Sequence, residues 1–131
     1  MTPAYLWTFL PLGYALSVLV EAPVLLVGLS PQHSVGRRLF AGFWLTACTY
    51  PIVVIVLPLL IDPGTHLAAY LIVAETFAPV AECLLFWAAF GGAWHDRRLW
   101  RDWAVIVLAN LLSFFAGEVL FAVWSWRPIA P

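Results

Sequence analysis

At 131 residues the chain has room for one domain; 64% of it is hydrophobic and only 10% is charged, against nearly half apolar and about a quarter charged in an ordinary soluble domain. A mean hydropathy of +0.96, with a net charge of -1 and no lysine, points to a membrane protein without the basic surface that nucleic acid requires. No length is left for a soluble catalytic domain, and no phosphate loop, Gly-x-Ser-x-Gly elbow or His-Glu-x-x-His motif occurs, so an enzyme is not expected.

A spanning helix needs about 20 mainly apolar residues, and four stretches qualify, at about 9–29, 39–61, 68–90 and 103–125. The first carries Gly13, Ser17, Glu21 and Gly28 along one side and ends at Ser30-Pro31-Gln32-His33-Ser34. No basic residue precedes it and no small-x-small site follows, so it is expected to stay in the mature protein rather than act as a cleaved signal. The second carries Gly42, Thr46 and Thr49 along one side, with Pro51 and Pro58 inside it, and stops at Asp62-Pro63-Gly64. The third contains Glu75 and Glu82, seven apart and so within about 20° of one face, and ends at Gly91-Gly92. The fourth presents Asn110, Ser113 and Gly117 on one side with Glu118 at its edge, and ends at Arg127-Pro128. Short connections make consecutive helices antiparallel neighbours. The expected fold is therefore an all-α, four-helix antiparallel membrane bundle forming a single integral membrane domain. Repeated fragments, Ala22-Pro23-Val24 with Ala78-Pro79-Val80 and Arg37-Arg38-Leu39-Phe40 with Arg97-Arg98-Leu99-Trp100, raise the option of two related helical hairpins.

Orientation follows from the arginines, because positive loops stay cytoplasmic. Arg37 and Arg38 lie in the first loop and Arg97, Arg98 and Arg101 in the third, with Arg127 the one dissent. Both termini are then expected outside a cell (inner) membrane. Tryptophans collect at membrane interfaces: Trp7, Trp124 and Trp126 would mark the outer belt and Trp87, Trp94, Trp100 and Trp103 the inner one, with Trp44 deeper. Cys48 and Cys83 form no C-x-x-C pair and read as small buried hydrophobes.

The acidic residues divide sharply. Asp62, Asp96 and Asp102 fall in the expected loops, whereas Glu21, Glu75, Glu82 and Glu118 fall inside spans that hold no lysine, arginine or histidine. Four bare anions would cost on the order of 10 kcal/mol even on lenient insertion scales, comparable with the whole stability of a domain, about 5–15 kcal/mol. The glutamates are therefore protonated, bind a cation or line a wet cavity. A helical rise of about 1.5 Å per residue puts Glu21, Glu82 and Asn110 near one depth and Glu75 and Glu118 in a second layer roughly 11 Å further from the arginine end. Pro23, Pro51, Pro58 and Pro79 each free a carbonyl four residues back, an oxygen acceptor suited to hard cations. The plainer alternative is that protonated Glu, Asn and Ser side chains are interhelical glue.

With no histidine in a span, axial ligation of haem is excluded, as is a di-iron site built on Glu-x-x-His. No cofactor is expected, and no metal is assigned. His33, His66 and His95 read as solvated loop residues, and Arg97-Arg98-x-x-Arg101 as a topology signal in contact with lipid headgroups.

Four short spans with a glutamate in the first resemble, in architecture, the small multidrug-resistance exporters. The segment LVEAPVLLVGLS around Glu21 departs from that family's sequence, and Glu75, Glu82 and Glu118 have no counterpart there, so no residue role is carried over. The expected function is a small transporter or channel-like protein handling a proton or small cation at Glu21, Glu75, Glu82 and Glu118, with Asn110, Ser113 and Thr49 as neutral ligands, in a homo-oligomer. The competing expectation is a non-catalytic subunit or assembly factor of a larger membrane complex.

Overall fold

The computed structural model describes residues 3–125, with side chains from residue 10 to residue 123. Four helices run in alternating directions: α1 (Pro3–Gly28), α2 (Val35–Leu60), α3 (Leu67–Phe90) and α4 (Arg97–Ser125). Each is long and apolar enough to cross a membrane. Large apolar side chains such as Leu19, Val27, Leu59 and Ile72 are exposed all round the bundle, as a bilayer-facing surface requires and a soluble surface does not tolerate. The protein is a multi-pass membrane bundle in which α1 packs most extensively on α2 and α4, while α3 packs about equally on α2 and α4.

The spans read from hydropathy match closely, but α1 starts at Pro3 rather than 9, and two helices also start early at the arginine end. There α2 starts at Val35 rather than 39, and α4 at Arg97 rather than 103. Caps explain the extra turns. The Ser34 hydroxyl accepts from the Arg37 N–H at 3.3 Å, and the Asp96 carboxylate accepts from the Arg98 N–H at 2.9 Å, each satisfying an orphan donor of a first turn. The five arginines of this end consequently ride on helices rather than in loops. Asp102 also lies on α4, not in a loop as expected, and is buried.

Within α2, the α-helical segment Val35–Pro51 passes through a π-helical turn, Ile52–Val56, before Leu57–Leu60. Pro51 and Pro58 bracket that turn and can donate no hydrogen bond to the carbonyls four residues back. The Leu57 N–H reaches Ile52 O instead, and Val53 O accepts from the Tyr70 hydroxyl at 3.2 Å. At the other end of the bundle Gly91, with φ of 71°, ends α3 in a conformation other residues rarely adopt.

Close packing of α1 on α2 depends on Gly42. A Cβ there would lie 2.8 Å from both the Cα and the Cβ of Ala22, so the two backbones would have to separate. Gly42→Ala is expected to destabilise the bundle by about 1–3 kcal/mol through overpacking, measured as a lower midpoint of unfolding in detergent micelles; an unchanged midpoint would contradict this contact.

Trp87, Trp94, Trp100 and Trp103 cluster at the arginine end, with neighbouring ring centroids 5.1–6.5 Å apart. Trp44 is half-buried and stacks on Phe40. The side chains of Trp7, Trp124, Trp126 and Arg127 lie outside the described residues. Kinship of the two hairpins does not extend to the glutamates, since aligning Ala22 with Ala78 sets Glu21 against Phe77.

Candidate functional site

All four helices contribute to a cavity of about 300 Å³ in the bundle interior. Glu21, Glu75, Glu82, Glu118, Asn110, Ser113 and Thr49, the residues singled out from sequence, all line it. Glu21 on α1 and Glu82 on α3 are 3% and 2% exposed. Glu75 is half-buried, and Glu118 is exposed at the cavity's open side.

The two buried carboxylates are held by neutral donors from the facing helices. Glu21 is bonded through Oε2 to the Thr46 hydroxyl and through Oε1 to the Ser113 hydroxyl, both at 2.6 Å. Glu82 is bonded through Oε1 to the Thr49 hydroxyl and through Oε2 to the Asn110 amide, both at 2.7 Å. Sequence reasoning put Thr46 on the polar side of α2 but left it out of the site; its three-residue spacing from Thr49 was the available signal. Tyr50 and Phe114 also line the cavity and carried no signal among so many aromatics.

Hydrogen counting sets the chemistry of this network. A hydroxyl has one hydrogen to donate and two lone pairs to accept with. Each hydroxyl here has a second acceptor in reach: Gly42 O at 2.9 Å for Thr46, Leu45 O at 3.1 Å for Thr49 and Asn110 O at 3.0 Å for Ser113. No hydroxyl can serve its carbonyl and its carboxylate with the same hydrogen. Asn110 differs, because its NH₂ has two hydrogens and uses one on Glu82 and one on Ile106 O at 3.0 Å.

One helical turn toward the arginine end from Glu21, Thr49, Glu82 and Asn110 lie Leu25, Leu45, Phe86 and Ile106 respectively, each 0–1% exposed. This layer closes the cavity on that side and is the centre of the hydrophobic core, with Leu29, Ala41, Cys83 and Ala109. Cys48 and Cys83 are both free.

Beyond the plug lies a second polar cluster that the sequence did not reveal. Asp102 accepts from Ser30 N at 2.6 Å and Ser30 Oγ at 2.9 Å, and pairs with His33 Nε2 at 2.8 Å. His33, expected at a solvated surface, is 4% exposed and packs edge-on to Phe86. The α1–α2 loop folds back over the end of the bundle, which buries it; His66 and His95 are exposed. Arg38 donates to the carbonyls of Leu26, Ser30 and His33, and Arg101 to that of Gly28, so two cations cap the negative end of α1. Compared with protein families, with curated proteins and with solved structures, the chain matches none.

Proposed function

We propose that this protein is a small proton-handling transporter or channel-like protein whose working groups are Glu21 and Glu82. The hydrogen count around those carboxylates carries the reading. With Glu21 ionised, Thr46 and Ser113 both turn their hydrogens onto it. With Glu21 protonated, its own hydrogen goes to one of those hydroxyl oxygens, whose hydrogen turns back to Gly42 O or Asn110 O. Every donor stays bonded in both states and no heavy atom moves. A cation at Glu82 would meet the hydrogens of the Asn110 amide rather than an oxygen lone pair on that side. Among the described residues no group of three or more His, Cys, Asp and Glu is arranged to hold a metal ion.

In this reading Glu75 and Glu118 form the approach from the open side, and the Leu25–Leu45–Phe86–Ile106 layer parts for release toward the arginine end. The positive-inside rule makes that end cytoplasmic and puts both termini outside a cell (inner) membrane. That approach requires the exposed Glu118 to be screened from lipid by association, because a carboxylate left facing hydrocarbon is costly. A homo-oligomer would cover it, and so would a larger membrane complex in which this chain is a non-catalytic subunit or assembly factor.

The test is proton flux in proteoliposomes under imposed pH gradients, repeated with sodium, potassium or magnesium. Wild type should pass protons irrespective of the cation, and Glu82→Gln and Glu21→Gln, both folded, should not. No proton flux in wild type under any of these conditions would sink the proposal; co-purification with a larger partner in mild detergent would then favour the subunit reading.

A further inference from the structure

A second concavity, of about 560 Å³, runs along the lipid-facing side of the bundle between α3 and α4. Its walls are Trp100, Trp103, Ala104 and Val107 on α4 and Val80 and Leu84 on α3, an apolar trough with indoles at the arginine end. Helical spacing continues the α4 wall upward: Arg97, Trp100, Ala104 and Val107 lie at i, i+3, i+7 and i+10, on one face. On α4 the trough runs from Trp100 to Val107, and with Arg97 one turn beyond its head the span is about 15 Å, half of a hydrocarbon core about 30 Å thick. That is the depth of one leaflet.

Charge at the head of the trough is unbalanced. Among the described residues, none of the five arginines pairs with a carboxylate. Arg38 and Arg101 are committed to the carbonyls at the end of α1. The Arg97 side chain is exposed and has no hydrogen bond or ion pair among the described residues, while the neighbouring Asp96 carboxylate caps the Arg98 N–H. A free guanidinium above an apolar, leaflet-deep trough, flanked by indoles, is complementary to an anionic headgroup carrying an acyl chain.

We infer that the α3–α4 trough is a binding site for an anionic phospholipid of the leaflet at the arginine end, its phosphate on Arg97 and one acyl chain between Trp103, Ala104, Val80 and Leu84. The acyl chain ends beside Glu75, which lines both the trough and the carboxylate cavity. The inference is independent of proton handling: a cavity that passes nothing would leave the lipid site standing.

The full chain in mild detergent, mixed with equal amounts of phosphatidylglycerol and phosphatidylcholine of matched chains, would be read by native mass spectrometry. Wild type should retain phosphatidylglycerol by about fivefold over phosphatidylcholine, the worth of one arginine at an anionic surface. Arg97→Gln should bring the two to parity. Ala104→Phe, which keeps Arg97 and fills the trough, should lower retention of both, and Val80→Phe does the same from the opposite wall if Ala104→Phe fails to fold. Equal retention of the two lipids by wild type would overturn the inference in favour of ordinary annular lipid. Unchanged retention in both folded phenylalanine variants, or displacement of the lipid by glycerol 3-phosphate, would overturn it in favour of a headgroup contact alone.

Discussion

Asp102→Ala is expected to destabilise the bundle by about 3–5 kcal/mol, because it leaves several buried polar groups, each worth about 1–3 kcal/mol, without their shared partner. The Asp102 carboxylate is 1% exposed and is the partner of three groups, Ser30 N, Ser30 Oγ and His33 Nε2. Alanine leaves all three in a site closed to water. The damage should concentrate in the α1–α2 loop, because Ser30 N follows directly on the end of α1 and Arg38 caps that end from α2. Asp102→Asn is a graded control. Its amide oxygen still accepts from Ser30 N, and the Ser30 hydroxyl can turn to accept from the amide NH₂, so the loss should fall nearer the about 1–3 kcal/mol of a single unsatisfied polar group. Reversible unfolding in mixed micelles measures both. Equal, small losses for the two variants would mean that the cluster is wetter than its burial indicates.

The four spans, their alternation and the interior position of Glu21 and Glu82 were legible because each depends on local quantities: apolar run length, residue spacing and the cost of a bare charge in hydrocarbon. What could not be read depends on how the chain folds back on itself. His33 looks like a loop histidine until the segment Ser30–Ser34 is seen to lie under Phe86 and against Asp102. Asp102 looks like a loop aspartate because the hydropathy window starts after the charged turn, whereas the helix starts at its cap, Asp96. Glu75 and Glu118 line the same cavity as Glu21 and Glu82, but depth along a helix does not report exposure. Angular position relative to α1 leaves Glu118 at the cavity's open side while Glu82 is enclosed. The paired alternatives of the hydroxyls were also out of reach, since they require three atoms from two helices at hydrogen-bond distance.

That pairing leads to an asymmetric prediction: Thr49→Val should slow proton flux by about 5- to 150-fold, the kinetic equivalent of one unsatisfied buried polar group worth about 1–3 kcal/mol, while Thr46→Val should do far less. The difference lies in what each carboxylate has on its other oxygen. Opposite Thr49, Glu82 Oε2 faces the Asn110 amide nitrogen, which only donates. A proton on Glu82 must therefore sit on Oε1, and Thr49 is the group that accepts from it there and donates to it when it is gone. Valine removes both roles with little change of volume, and the ionised form loses a charge-assisted bond that nothing else replaces. Glu21 is bonded to hydroxyls on both oxygens, so with Thr46 removed its proton can still be exchanged through Ser113. Thr49→Ser keeps the hydroxyl and should run near wild type. Flux measured for the three variants in proteoliposomes of equal protein content separates the possibilities. A Thr49→Ser variant as slow as Thr49→Val would assign the effect to packing against α3. Equal losses in Thr46→Val and Thr49→Val would mean that proton transfer does not depend on which oxygen the amide occupies, and the two-position hydroxyl mechanism would have to be abandoned.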